Sequence, residues 1–290
     1  MTSQAVFTGH SAIAPPGIRP PRQGRTGPND VARRLAARVR QASEGLDDIV
    51  VWRSRDNRLR RAAIGPQCYE LGMERSYPIR LEYRWPQRRA YSNERWCSHT
   101  GESLHCESMT ERLGIMQLEY FFNAPGLPRI AAAATQPMLV ITGRKHRFPD
   151  LMLRLTDGRR LVIDIKRRNA MTEAVKEKLA VTREVCQRVG WQYAVVHEPA
   201  KVVEYNLEML SSRRHPRFAP WPELREAVLA QCRSPRPLGE VVDAISPRGR
   251  GLIMPYVHHL LWARAMDPLT LHDPLDWDTP VAATGHERTS

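Results

Sequence analysis

The 290-residue chain has no apolar run long enough to cross a bilayer as a helix, and no charged-then-apolar leader at its start. Neither a membrane span nor a secretory signal is therefore expected. Cysteine is sparse. Cys68, Cys97, Cys106, Cys186 and Cys232 are scattered and odd in number, which excludes a disulfide framework as the expectation and favours reduced cytosolic thiols. Acidic residues are short of basic ones, 31 against 44, for a formal net charge of +13. With a pI near 10.1, the balance points to a polyanionic partner and a cytoplasmic, nucleoid-associated protein.

What is present is concentrated in residues 147–168. Leu151, Leu153 and Leu155 alternate with Asp150, Met152 and Arg154; Thr156-Asp157-Gly158-Arg159 turns the chain; Leu161, Ile163 and Ile165 then alternate with Val162, Asp164 and Lys166. This reads as a β-hairpin. Opposed residues of an antiparallel pair share a face, so the two aliphatic sets meet only if paired residue numbers sum to an even value. A two-residue loop at Asp157-Gly158 gives an odd sum, so a three-residue loop or a bulge is predicted. The same register puts Asp150 on the face of Asp164 and Lys166, at the open end of the hairpin, with the aliphatic residues on the other face.

Two close aspartates repel, and a divalent cation relieves the repulsion. All-oxygen ligation suits Mg²⁺ or Mn²⁺, which polarises a phosphoryl oxygen and activates water, while a lysine positions that water or balances developing charge. Taken alone, the pattern also fits a surface hairpin with an Asp–Lys pair of little energetic weight. Nine Lys/Arg against three Asp lie in residues 144–168, so the surroundings suit a phosphodiester, with Arg144, Lys145, Arg147, Arg167 and Arg168 as candidate phosphate contacts.

Along the chain, residues 1–28 read as a disordered basic tail. Residues 29–88 read as a helix capped by Asp30, followed by an irregular β extension. Cys97, His99, His105 and Cys106 are zinc-ligand types, but their spacing matches no standard finger. Ser108 and Glu111 form a capping box opening a helix with Leu113, Ile115, Leu118, Phe121 and Phe122 inward. Glu111 either only caps or is a further carboxylate of the site, with Glu107 and Glu119 as weaker candidates. Residues 130–134 and 138–142 read as strands. Thr172 caps a helix ending at Gly190, with Lys176 and Arg183 on one side of it, as phosphate contacts or as a solvated face. A strand follows over 191–197. The order αβββαβ describes a compact α/β core. Residues 220–277 read as three short helices and a hairpin over 269–277, a winged-helix-like region that binds DNA or, given the apolar stretch 252–262, docks a protein. A disordered tail is expected over 278–290.

A helical glutamate, then Pro-Asp, then Asp-x-Lys on that order resembles the PD-(D/E)xK nuclease superfamily, whose core is restriction-endonuclease-like. The wording is similar to the TnsA-type endonuclease subunits of heteromeric transposases: Glu107-Ser-Met-Thr-Glu111-Arg112, Gln136-Pro137, Phe148-Pro-Asp150, Val162-Ile-Asp164-Ile-Lys166, Gly190-Trp-Gln-Tyr193 and Asn206-Leu-Glu-Met-Leu with Arg214-His-Pro-Arg217. The resemblance covers roughly residues 90–220. It implies an Mg²⁺- or Mn²⁺-dependent endodeoxyribonuclease core over 89–219 that cleaves the 5′ ends of a transposon. Glu111, Asp150, Asp164 and Lys166 would be catalytic, the three carboxylates holding the metal. Its partners would be double-stranded DNA, a transposase and an ATPase regulator. A restriction or repair nuclease on the same core and a catalytically inactive DNA-binding assembly subunit are the alternatives.

Overall fold

The computed structural model describes residues 34, 36, 37, 48–80, 93–143 and 145–284. The expected tail over 1–28, most of the Asp30-capped helix, and Arg144 lie outside them.

A four-stranded sheet holds the chemistry-bearing hairpin. Its order is β10 (Gln192–Val196), β9 (Arg160–Ile165), β8 (Leu151–Leu155), β5 (Ile130–Thr135). Strands β8 and β9 pair antiparallel, Leu151 with Ile163 and Leu153 with Leu161, so residue numbers sum to an even value as expected. The loop is three residues. The amide of Leu155 donates to the carbonyl of Arg159 at 2.9 Å, and Gly158 sits at φ +89°, a conformation glycine takes without a Cβ clash. Strand β10 runs parallel to β9, which requires the crossover that helix α2 (Glu173–Val189) supplies.

Both faces of the hairpin are covered, unlike the half-solvated hairpin the alternation suggests. Leu151, Leu153, Ile163 and Ile165 pack with Ile115 and Phe122 of helix α1 (Met109–Phe122) and with Leu104 and Cys106 of the β3 (Asn93–Trp96)–β4 (Ser103–Cys106) hairpin. Met152 and Val162 pack on the other side against Val185 and Val189 of α2 and Val50, Trp52, Met138 and Val140. Each such fully buried aliphatic contributes about 1.5–3 kcal/mol. The last four belong to a second antiparallel sheet, β2 (Leu59–Ala63), β1 (Asp48–Arg53), β6 (Met138–Thr142), β7 (Lys145–Arg147). The stretch expected to be irregular thus supplies two regular strands, because Ile49 to Trp52 finds a full partner in β6.

Helix α3 (Lys201–Ser211) lies along α1 and joins it in a third core with the C-terminal elements α4 (Pro222–Gln231), α5 (Leu238–Ile245) and α6 (Arg250–Trp262). These helices fall close to where the sequence puts them. The expected hairpin over 269–277 does not form. The chain instead pairs β12 (Met266–Pro268) with β13 (Pro280–Ala283), and β13 also pairs with β11 (Arg236–Pro237). The expected disordered tail is therefore ordered as far as Thr284. Buried Val281 explains why: it closes the core around Leu238 and Trp262. Among the described residues, no helix is long and apolar enough to cross a membrane.

Candidate active site

Helix α1 begins where Ser108 takes extended backbone and its hydroxyl accepts from the Glu111 amide at 3.2 Å. The Glu111 carboxylate accepts from that hydroxyl at 3.1 Å and from the Glu107 amide at 2.8 Å. The Ser108 half of the capping box forms, while Glu111 reaches one residue past the cap, to the Glu107 amide, and turns inward. Burial, and next the charge of Asp150, push its carboxyl up to about 7. A structural cap alone would sit in water; this one faces another carboxylate.

Asp150 enters from β7 through Phe148-Pro149. Its Oδ2 accepts from the backbone amide of Ile165 at 2.7 Å and from Nζ of Lys166 at 2.6 Å. By the β8–β9 register Asp150 stands opposite Asp164. Lys166 is fixed on both sides: its amide donates to the Val196 carbonyl at 2.9 Å, and its own carbonyl accepts from Nδ1 of His197 at 2.8 Å. Arg167 ties the loop after β9 to the first turn of α1 by donating from Nε to the Thr110 hydroxyl at 3.1 Å. Glu111, Asp150, Asp164 and Lys166 therefore gather at one end of the sheet.

Asp164 is the most confined of them. Its exposure is 0 %. Arg147 donates to Oδ1 at 3.1 Å and the Tyr193 hydroxyl to Oδ2 at 2.8 Å. Burial, then Asp150, raise its carboxyl above the usual range, against the opposing charges of Arg147 and Lys166. Tyr193 is in turn raised, by burial first and then by Asp164. Neither partner of Asp164 was assigned this part from sequence. Arg147 was read as a phosphate contact but turns inward, and nothing in the alternation of β10 marks the Tyr193 hydroxyl.

The other named candidates divide. Glu107 is buried and ion-paired with Arg80 at 2.6 Å. Glu119 is fully buried, ion-paired with Arg95 at 2.7 Å and accepting from the Ser98 amide; both serve the fold rather than the Asp150 cluster. Lys145, Arg167, Arg168, Lys176 and Arg183 are exposed. Of these, Lys176 pairs with Glu173, and Arg183 lies 5.8 Å over the Tyr193 ring. Cys97 and Cys106 are buried free thiols raised by desolvation. His99 is held between Asn123 and the Ile130 amide. The four zinc-type residues do not converge. Among the described residues no group of three or more His, Cys, Asp or Glu is arranged to hold a metal ion.

The donor chemistry nonetheless suits a hard divalent cation at Asp150 and Glu111. The carboxyls of Glu111 and Asp164 are each raised by burial first and then by the charge of Asp150, negative charge that Lys166 and Arg147 offset only in part. No family model matches the chain, and no curated protein matches it.

Proposed function

We propose that the chain is a metal-dependent DNA endonuclease, on a restriction-endonuclease-like core, acting as the strand-cleaving subunit of a heteromeric transposase. The observation that carries the reading is the convergence of Glu111, Asp150, Asp164 and Lys166 from three separate segments. A cluster so acidic, in a chain of net charge +13, is what a cation-assisted phosphodiester hydrolase uses to bring a metal to a polyanion. Asp150 and Glu111 would hold Mg²⁺ or Mn²⁺, with Asp164 as a third carboxylate whose charge Arg147 balances. The cation would supply Lewis acidity at a phosphoryl oxygen. Lys166, hydrogen-bonded to Asp150, would orient water and offset charge as it builds on phosphate. The C-terminal three-helix unit would dock DNA, a transposase or an ATPase regulator. The resemblance of the motifs to TnsA-type subunits supports this choice among nucleases.

One observation favours a second reading, an inactive DNA-binding assembly subunit: both oxygens of Asp164 are already engaged by Arg147 and Tyr193. Calorimetry with Mg²⁺ and Mn²⁺ separates the two. Saturable binding by the wild type, lost in Asp150→Ala/Asp164→Ala, is expected of the nuclease. Absence of binding even with duplex DNA present selects the assembly subunit.

A further inference from the structure

Five residues after α3, Arg213 to Arg217, carry three arginines on aromatic faces. The guanidinium of Arg213 lies 4.9 Å from the Phe218 ring centroid and that of Arg217 lies 4.7 Å from it. Arg214 lies 5.7 Å from the Trp96 ring, against which His215 stacks at 5.0 Å with planes 27° apart. Backbone carbonyls hold Arg214 further, its Nε donating to Trp96 at 3.0 Å and its Nη1 to Ser211 at 2.8 Å. Among the described residues none of the three is ion-paired with a carboxylate, whereas Arg112, Arg159, Arg250 and Arg264 all are. Positive charge has been stacked on rings without a direct carboxylate partner. Burial first, then the nearby charge of Arg95, press the Arg214 guanidinium down from its ordinary value, against the opposing charge of Glu119.

Position gives the cluster its meaning. Helices α1 and α3 are tied by Arg112 Nη1 donating to Glu208 Oε1 at 2.8 Å. Arg112 is the neighbour of Glu111, and Glu208 lies one turn before the arginines. Trp96 ends β3, whose partner β4 leads directly into the cap of α1. Trp96 pairs with Ser103, at the end of that hairpin away from the cap, and its neighbours Arg95 and Ser98 reach Glu119, so the arginines lie along the flank of α1 that carries Arg112 and Glu119. We infer that Arg213, Arg214 and Arg217, with Phe218 and Trp96 as their supports, form a docking surface for the sugar-phosphate backbone of duplex DNA along the seam of α1 and α3. This rests on the nuclease reading for the identity of the polyanion. Guanidiniums offer planar, bidentate donors to phosphate, and stacking on rings fixes them before the ligand arrives.

The test is fluorescence anisotropy with a duplex of random sequence across a salt series, with EDTA present so that no cleavage occurs. Arg213→Gln/Arg217→Gln is expected to weaken binding about tenfold and to lower the salt slope by about two, one per lost phosphate contact. Arg213→Lys/Arg217→Lys keeps the charge but not the stack; it is expected to retain most of the slope while losing affinity. Arg159→Ala, on the hairpin tip and paired with Asp157, serves as the basic control and should change little. Equal losses in Arg159→Ala and the Gln pair, or no loss in the Gln pair, overturn the surface. So does displacement of the duplex by polyglutamate at matched charge, which would make the ligand an acidic protein segment. Cation binding by calorimetry is read on the same variants. If it stands while the Gln pair binds DNA normally, this surface fails and the nuclease reading survives. If cation binding is absent from the wild type, that reading fails whatever the arginines do.

Discussion

Glu111 caps a helix and faces Asp150 at once, and the two duties conflict over charge. Its carboxyl is raised from 4.5 to about 7 in the folded protein. A raised acid binds its proton more tightly folded than unfolded, so the ionised form is what burial penalises. The penalty is absent below about pH 4.5 and complete above about pH 7, on the order of 3 kcal/mol by the size of the shift. The metal-free protein is thus expected to lose stability as pH rises from 4.5 to 7, and Glu111→Gln, which still caps, should flatten that slope. Thermal melts of both in EDTA across this range check it; parallel curves would remove Glu111 from the acidic cluster. Mg²⁺ should restore the wild type at pH 7 but not the variant. Most of these residues could be read from sequence, since Pro-Asp and Asp-x-Lys are local in the chain and the capping box is a spacing. The partners of Asp164 could not. Tyr193 reaches it from the strand paired with β9, and Arg147 from the neighbouring sheet, approaches that only the assembled fold brings about.

Elements carry the site by close approach. In α1, a Cβ on Gly114 would stand 2.8 Å from Cγ2 of Ile165, the residue before Lys166. Helix and strand touch there with no side chain between them, one turn beyond Glu111. Gly114→Ala is expected to push α1 off β9 and destabilise the fold by about 1–3 kcal/mol, despite the gain in helix propensity. Chemical denaturation measures the loss. A stability equal to or above the wild type's would mean that the helix shifts freely and does not set the Glu111–Asp150 approach. The hairpin and its three-residue loop were legible because a period of two and the need to join two aliphatic faces admit one parity. Helices α1 and α2 were legible from caps and periodicity, and α4, α5 and α6 as three short helical stretches after residue 220. The pairing of β1 with β6 was not, since long-range registry leaves no mark in local composition; nor was β13, because four residues after a loop of Asp, Pro and Trp carry no pattern of their own.

Across the whole molecule, the C-terminal unit is no appendage. Leu113, Met116 and Tyr120 of α1 and Leu207 and Leu210 of α3 share one core with Leu238, Val257, Leu261 and Val281, and the Asn123 amide donates to the Trp262 carbonyl at 2.8 Å. Buried Arg95 and Glu119 brace the same region from the other side, Arg95 lying over the Trp262 ring. A truncation after residue 219 is therefore expected to expose this apolar surface of α1 and α3 and to aggregate, and the intact chain to melt in one transition. Two separated calorimetric transitions, or a soluble folded truncation, would show the units to be independent. The division of the sequence near residue 220 follows composition, which registers a change of element type but not a shared interior.

The parallel place of β10 has one more consequence, in the order of synthesis. As the chain leaves the ribosome, Asp150, Asp164 and Lys166 come out well before Tyr193 and Val196, and β9 waits as an edge strand until α2 has crossed over and β10 has paired. In that interval Asp164 is hydrated and ionised in the ordinary way. Its burial, and the raised affinity for protons that comes with it, begin only when the last strand closes.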